Sequence, residues 1–210
     1  MRTRVKICGF TRVEDAVCAA GLGVDAIGLV FFPSSPRHVE IETAAAIARS
    51  LPAFVSVVAL FVDAESSLIY EVLSRVRVDC LQFHGDEQAE VCRLYDRPYI
   101  KAIRMRPGID LAACERQYHD AGGLLLDAYR PGVQGGTGDG FDWGLIPRNS
   151  GLPIILAGGL TPENAGRAIR AVKPYALDVS SGVEARKGIK DAEKMAAFIR
   201  ETNQAIKNYD

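Results

Sequence analysis

Short apolar runs alternate with helical patterns along the whole 210-residue chain. The apolar runs are rich in Val, Ile and Leu, as expected for parallel strands buried on both faces. The strand-like runs are "RVKIC", "DAIGLVF", "FVSVVALF", "DCLQF", "YIKAIR", "GLLLD", "PIILA" and "YALDVS". Between them lie segments with apolar residues at helical spacing, such as "IETAAAIARSL" and "AESSLIYEVLSRV". The alternation predicts eight strand-plus-helix units with parallel strands and crossover helices.

Eight such units favour an α/β fold with a single closed (β/α)₈ barrel, a TIM barrel, in one domain spanning residues 1–210. The length lies near the lower end of the roughly 200 to 400 residues typical of that fold. The alternative is an open doubly wound sheet, which usually carries a G-x-G-x-x-G fingerprint after its first strand. The stretch "CGFTRV" does not match that fingerprint, so the barrel is the preferred architecture.

Local signals place several helix boundaries. Thr11 and Glu14 have the spacing of a capping box at the start of the first helix. Thr161 is a plausible N-cap followed by Pro162 at the first helical position. We expect the helix after the sixth strand to begin near Phe141, and the final helix to run from about Asp191 to Ile206.

Charge and cysteine usage exclude several classes of protein. The formal net charge is −1, which does not indicate nucleic acid or an anionic membrane as a partner. The longest apolar run, "FVSVVALFV", is too short to span a bilayer, and the charged start does not resemble a signal peptide. Five cysteines, an odd number without a C-x-x-C motif, argue against a zinc site and against a disulfide framework. We expect a cytoplasmic protein without a metal.

In a barrel of this kind, functional side chains lie at the carboxyl ends of the strands. The first strand ends in Lys6-Ile7-Cys8, and the two-residue period puts Lys6 and Cys8 on the face that points into the barrel. Cysteine is also a common small core residue, but beside an inward lysine we favour a functional role for Cys8. Strand eight neighbours strand one in a closed barrel, and Asp178 is therefore the predicted partner of Lys6.

Further polar residues follow other strands. Asp127 ends the run "LLLD" at the same rim as Cys8 and is too far from the next predicted helix to cap it. It is either a loop aspartate or a functional carboxylate, and its position relative to Cys8 favours the second. Gln82 and His84 share a face at the end of strand four, where they bind substrate or complete a buried polar network. Arg37 lies on the loop "FFPSSPR" and is either a carboxylate-binding cation or a solvated surface arginine.

Two glycine-containing loops predict an anion site. Gly158 and Gly159 follow strand seven, and Ser181 and Gly182 follow strand eight. Loops seven and eight of such barrels often bind phosphate through main-chain N–H groups, although ordinary tight turns would also explain these residues. A third loop, "GVQGGTGDG", carries five glycines and is either a lid or a long surface loop.

Taken together, these motifs resemble those of the phosphoribosylanthranilate isomerase family over almost the whole chain. The matching stretches are "KICGFT", "GLVFFPSSPR", "LQFHG", "LLLDAY", "GGTGDGFDW", "LAGGLTPENA" and "DVSSGVEARKGIKD". Phe10 and Phe83 depart from the pattern, since smaller aliphatic residues are expected there.

The resemblance implies a cofactor-free Amadori rearrangement in tryptophan biosynthesis. Phosphoribosylanthranilate, a small phosphosugar–anthranilate substrate, would become carboxyphenylamino-deoxyribulose phosphate. The resemblance also implies that Cys8 is the general base, that Asp127 is the general acid, and that Arg37 binds the anthranilate carboxylate. It adds Gly138, in the glycine-rich loop, to the phosphate site. We further expect Lys6 and the phosphate loops to favour the thiolate form of Cys8.

Two other functions are open on the sequence alone. Another phosphosugar barrel, such as an epimerase, would more usually use metal ligands or two aspartates, and this chain has neither a histidine cluster nor a strand-one aspartate. A regulatory module that only binds a phosphorylated ligand would not need a paired acid and base.

Overall fold

Eight parallel strands form a closed barrel in the computed structural model, which describes residues 2–106, 108–128, 142–147 and 149–207. The strands pair in sequence order, and β8 closes on β1. They are β1 (Arg4–Cys8), β2 (Ala26–Val30), β3 (Ser56–Phe61), β4 (Cys80–Phe83), β5 (Tyr99–Met105), β6 (Gly123–Ala128), β7 (Ile154–Leu156) and β8 (Ala176–Val179). The predicted barrel is therefore confirmed.

Helices cover the outside of the barrel. They are α1 (Val13–Gly21), α2 (Ile41–Ser50), α3 (Ser66–Arg75), α4 (Ala89–Cys92), α5 (Leu111–Gln117), α6 (Pro162–Val172) and α7 (Ala192–Lys207). Their buried faces pack on the outward apolar residues of the strands, which form the main hydrophobic core. Phe10 and Phe83, the two residues that depart from the family pattern, are both fully buried there. Within the described ranges, no helix is both long and apolar enough to cross a membrane.

The helix boundaries differ from the predictions at two places. The first helix has Arg12 at its N-cap without a side-chain cap, because the Thr11 hydroxyl instead donates to the carbonyl of Gly188 at 2.6 Å. After β6, residues 142–147 contain only a 3₁₀ turn, Trp143–Leu145, and Phe141 lies outside the described residues. The predicted cap at Thr161 is confirmed, with Asn164 completing a capping box.

The loop after β8 contains an antiparallel hairpin that the sequence did not predict. Its strands are β9 (Glu184–Arg186) and β10 (Ile189–Lys190). The hairpin folds back over the end of β1, where the bond from Thr11 to Gly188 joins it to the first strand's loop. It thereby brings Glu184 and Lys190 to the carboxyl end of the barrel.

The interior of the barrel is divided into two levels. At the lower level, a separate apolar cluster consists of Ile100, Ala102, Leu125, Ile155, Ala157 and Ala176. Towards the carboxyl ends of the strands, Cys8 packs with Val30 and Leu60. Above this second cluster the barrel opens into a pocket.

Candidate active site

One open pocket at the carboxyl ends of the strands brings together most of the predicted functional residues. Its empty volume is about 760 Å³, including space open to solvent. It is lined by Cys8, Val30, Phe32, Arg37, Leu60, Val62, Gln82, His84, Asp127, Ala157, Gly158, Gly159, Leu160, Asp178, Val179, Ser180 and Ser181. Of the other predicted residues, Gly182 lies at the edge of the pocket, where it packs against Leu160 in the loop after β7. Gly138 lies outside the described residues.

Cys8 occupies the last position of β1, and its sulfur packs over the backbone of β2. A Cβ at Gly28 would lie 2.6 Å from Cys8 Sγ and 3.1 Å from Lys6 Nζ. Only glycine leaves room at this position for both side chains. Directly after Cys8 the chain turns at Gly9, whose φ of +84° lies in the left-handed region that favours glycine. The thiol is therefore held by rigid backbone on two neighbouring strands.

Lys6 and Asp178 form a buried ion pair inside the barrel. They are register partners on β1 and β8, and Lys6 Nζ lies 3.0 Å from both carboxylate oxygens. Burial alone would lower the pKa of Lys6, but the charges of Asp178 and Cys8 raise it above its ordinary value. Asp178 thus favours the charged form of Lys6, and the predicted pairing of the two residues is confirmed.

The environment of Cys8 does not favour the thiolate in the way the sequence suggested. Burial raises the pKa of the Cys8 thiol above its ordinary value, and the nearby cations Lys6 and Lys190 only partly oppose this effect. Lys6 acts in the expected direction, but burial outweighs it, so the expectation that the site favours the thiolate is wrong. A buried thiol loses more hydration on ionising than the flanking cations restore, since Lys6 is already paired with Asp178.

Arg37 makes a bidentate salt bridge with Glu184 of the hairpin. Its Nε lies 2.7 Å from Oε1 and its Nη2 lies 2.8 Å from Oε2. Lys190 Nζ binds the same carboxylate at 2.9 Å and donates to the main-chain oxygen of Cys8 at 2.6 Å. Burial would raise the pKa of Glu184, but Arg37 and Lys190 hold it below its ordinary value. Burial lowers the pKa of Lys190, although Glu184 opposes this effect. Arg37 and Lys190 thus share one carboxylate beside Cys8.

On the other side of the pocket, Gln82, His84 and Asp127 form a hydrogen-bonded chain. Gln82 Nε2 lies 2.9 Å from His84 Nδ1, and His84 Nε2 lies 3.1 Å from Asp127 Oδ2. Gln82 is fully buried, and Asp127 is buried at the end of β6. The polar network expected at Gln82 and His84 is present. The two residues also line the pocket, and substrate binding by them stays a prediction.

The loops after β7 and β8 approach each other at the pocket's edge. Gly158 and Gly159 both have positive φ, 79° and 67°. A Cβ at Gly182 would lie only 1.9 Å from the carbonyl oxygen of Leu160, so glycine is required for the two loops to touch. Among the described residues, the N–H groups of Gly159 and Ser181 donate no hydrogen bond. They are available to an anion.

Asn164 fixes the shape of the first of these loops. Its side chain accepts from Thr161 N–H at 2.9 Å and donates to Gly159 O at 2.7 Å. Sequence reasoning named Thr161 as the cap but missed Asn164. A polar residue three positions after an N-cap is the signal that could have identified it.

An apolar wall of the pocket was also missed. It consists of Val30 at the end of β2 and Phe32 after it, with Leu60 from β3 and Val62 after that strand. The two-residue period starting from the inward Gly28 would have placed Val30 and Phe32 on the inner face. The wall stands on the same side of the pocket as Arg37, which follows β2.

No group of three or more His, Cys, Asp or Glu side chains within the described ranges is arranged to hold a metal ion. All five cysteines are free thiols.

Comparison with known proteins identifies relatives over nearly the full length. The family model described as N-(5'-phosphoribosyl)anthranilate (PRA) isomerase matches residues 5–201. The N-(5'-phosphoribosyl)anthranilate isomerase of Nitrosococcus oceani is 60% identical over 200 residues, which cover 95% of this chain and 97% of the relative. A crystal structure of phosphoribosyl anthranilate isomerase from Thermotoga maritima is 40% identical with a TM-score of 0.88, covering 96% of this chain and 99% of that one.

A further solved structure carries a ligand. It is a phosphoribosyl anthranilate isomerase in complex with reduced 1-(o-carboxyphenylamino)-1-deoxyribulose 5-phosphate. It is 39% identical to this chain, with a TM-score of 0.85, and the match covers 96% of this chain and 99% of that one.

Proposed function

The chain belongs to the N-(5'-phosphoribosyl)anthranilate isomerase family of tryptophan biosynthesis, and we propose that Cys8 and Asp127 are the base and the acid of the isomerisation. The observation that carries the proposal is the pocket itself. It places a thiol from β1 and a carboxylate from β6 around one space, between an apolar wall and two N–H-rich loops. Each part of the substrate has a complementary surface.

The anthranilate ring is proposed to lie against the apolar wall, Val30, Phe32, Leu60 and Val62. Arg37 stands at the same side and uses two of its nitrogens to hold Glu184. Arg37 shares this carboxylate with Lys190 and lines the pocket. The guanidinium can therefore attract the anthranilate carboxylate, to which planar N–H donors are well matched.

The phosphate is proposed to bind at the loops after β7 and β8. The main-chain N–H groups of Gly159 and Ser181 supply donors, and the positive φ angles of Gly158 and Gly159 turn the backbone of the first loop. No lysine or arginine side chain is needed at this end, since aligned N–H groups bind anions effectively. Gly138 is proposed to close the site from the glycine-rich loop.

With both ends held, the ribose lies between Cys8 and Asp127. Asp127 protonates the ring oxygen, the bond from that oxygen to C1 breaks, and the amine lone pair forms a protonated imine. The imine acidifies the C–H at C2. Cys8, as a thiolate, removes that proton, and the C–H electrons form the C1–C2 double bond of the enolamine. Tautomerisation of the enolamine gives the ketone, so the sequence is an isomerisation with no redox partner.

A fluorescence assay that follows anthranilate emission as substrate is consumed tests the proposal. Asp127→Asn should stop ring opening and reduce turnover by about 10²–10⁴-fold, the usual contribution of a general acid. The variant should still bind reduced 1-(o-carboxyphenylamino)-1-deoxyribulose 5-phosphate, because the wall and the phosphate loops are intact. Near-normal turnover of Asp127→Asn would refute the role of the carboxylate.

We also propose that residues 1–210 form one catalytic domain, because the barrel pairs strand β1 with strand β8. A cytoplasmic location is proposed as well, because five free thiols are expected in a reducing compartment.

A further inference from the structure

The hydrogen-bonded chain from Gln82 to Asp127 contains an unusual buried group. Gln82 Oε1 is buried and has no partner among the described residues. Its own Nε2 meanwhile donates to His84 Nδ1. A buried acceptor without a partner is costly and needs a reason. The reason lies in what this orientation of the amide does to His84.

An amide N–H directed at Nδ1 requires an unprotonated Nδ1. His84 must then carry its proton on Nε2, which lies 3.1 Å from Asp127 Oδ2. The opposite orientation of the amide would place Oε1 against Nδ1 and would favour a proton there. The position of the Gln82 amide and the tautomer of His84 are therefore linked.

The main chain of His84 is held in place independently of the hydrogen bonds to Gln82 and Asp127. The main chain of His84 is fixed by its N–H, which donates to Phe61 O at 2.9 Å, and by Arg104 Nη2, which donates to its carbonyl at 3.3 Å. The following residue, Gly85, is held by Glu87 and Lys101. The side-chain bond, by contrast, reaches from the end of β4 past the neighbouring strand β5 to β6.

We propose that Gln82 and His84 are positioning residues for the general acid. Gln82 fixes the neutral Nε2–H tautomer of His84, and that N–H occupies Oδ2 of Asp127. A proton on Asp127 is thereby directed to Oδ1, and the carboxylate left after proton donation is stabilised by a ready donor. The inference rests on the proposed role of Asp127 and adds two residues to it.

Nitrogen NMR of the wild-type enzyme tests the tautomer directly. The chain has only three histidines, so His84→Gln identifies the His84 signals by their loss. At neutral pH the long-range ¹H–¹⁵N correlations should show an unprotonated Nδ1 and a protonated Nε2. A Nδ1–H tautomer, or an imidazolium, would overturn the inference without any variant having to fold.

Two matched pairs of variants test the effect on catalysis. His84→Ala should lower kcat by about 10-fold, part of the roughly 10²–10⁴-fold effect of a general acid, with little change in KM. His84→Gln restores an N–H donor near Oδ2 and should recover part of that loss. Gln82→Glu replaces the amide N–H donor by a carboxylate oxygen in a side chain of the same shape. This acceptor should favour a proton on His84 Nδ1, so Gln82→Glu should lower kcat more than Gln82→Met does.

The outcomes separate this inference from the proposed function. If Asp127→Asn keeps its turnover, the acid role itself is wrong. If Asp127→Asn is inactive while His84→Ala and Gln82→Glu both keep wild-type kcat, only the positioning role is wrong. An unchanged His84 tautomer in folded Gln82→Glu would likewise contradict the link between the two residues.

Discussion

Lys6 and Asp178 join the first and last strands of the barrel through a buried ion pair, with Nζ 3.0 Å from each carboxylate oxygen. Both side chains are almost completely buried. The pair lies between β1 and β8 at the pocket, which Asp178 lines, and it places a cation beside Cys8. The same two residues therefore contribute to the contact between β1 and β8 and to the electrostatics of the site.

Breaking this pair should destabilise the protein strongly. Lys6→Met leaves Asp178 as an uncompensated buried carboxylate, so the free energy of unfolding should fall by about 3–5 kcal/mol. Urea denaturation measures the change. Stability is a better measure here than activity, since Asp178 also lines the pocket.

Arg75→Met is a matched control for that experiment. Arg75 makes exposed ion pairs with Glu42 and Glu71, and exposed pairs contribute little to stability. Equal losses in the two variants would mean that the buried pair has no special role in closing the barrel.

The activity should rise with pH above neutrality because of Cys8. The base is active only as the thiolate, and burial raises the pKa of the Cys8 thiol, so the active fraction at neutral pH is small. As pH rises towards that raised pKa the thiolate fraction grows, and kcat/KM should grow with it. The pH profile of the fluorescence assay measures this limb.

Cys8→Asp provides the comparison, because an aspartate ordinarily ionises far below neutral pH. Whatever its absolute rate, this variant should lack the rising limb above neutrality. An identical limb in the variant and the wild type would assign the titration to another group.

Gly182→Ala should damage the phosphate site. The new Cβ would lie 1.9 Å from Leu160 O, so the loops after β7 and β8 must separate. We expect a large increase in KM and weaker inhibition by inorganic phosphate. Gly21→Ala is the control, because a Cβ there meets nothing within 4 Å; it should leave KM unchanged. Wild-type KM in Gly182→Ala would show that the contact between the loops is not needed for binding.

Arg37→Ala should weaken binding of the anthranilate end only. KM for the substrate should rise, while inorganic phosphate should inhibit the variant as well as it inhibits the wild type. Arg186→Ala, at an exposed position of β9 in the same hairpin, should change neither value. Equal loss of substrate binding and phosphate inhibition in Arg37→Ala would assign the cation to the phosphate instead.

Local patterns predicted the barrel and its inward residues well, for a physical reason. Strand alternation and closure fix which side chains point inward, and they were sufficient to pair Lys6 with Asp178 although 172 residues separate them. Glu184 and Lys190 could not be placed in this way, because their positions depend on a hairpin folding back from a loop without strand periodicity. The raised pKa of Cys8 also could not be predicted from the sequence, because it depends on how completely the neighbouring strands exclude water from the thiol.

The central claim is that the thiol of Cys8 removes the proton from the substrate, and one comparison tests it most directly. Turnover of Cys8→Ala is measured by anthranilate fluorescence beside that of Cys80→Ala, which removes a second cysteine that packs against the lower apolar cluster of the barrel interior. The account predicts a loss of about 10²–10⁴-fold for Cys8→Ala, with binding of the product analogue retained, and little change for Cys80→Ala. Near-normal turnover of Cys8→Ala would contradict the account and would make Cys8 a core residue.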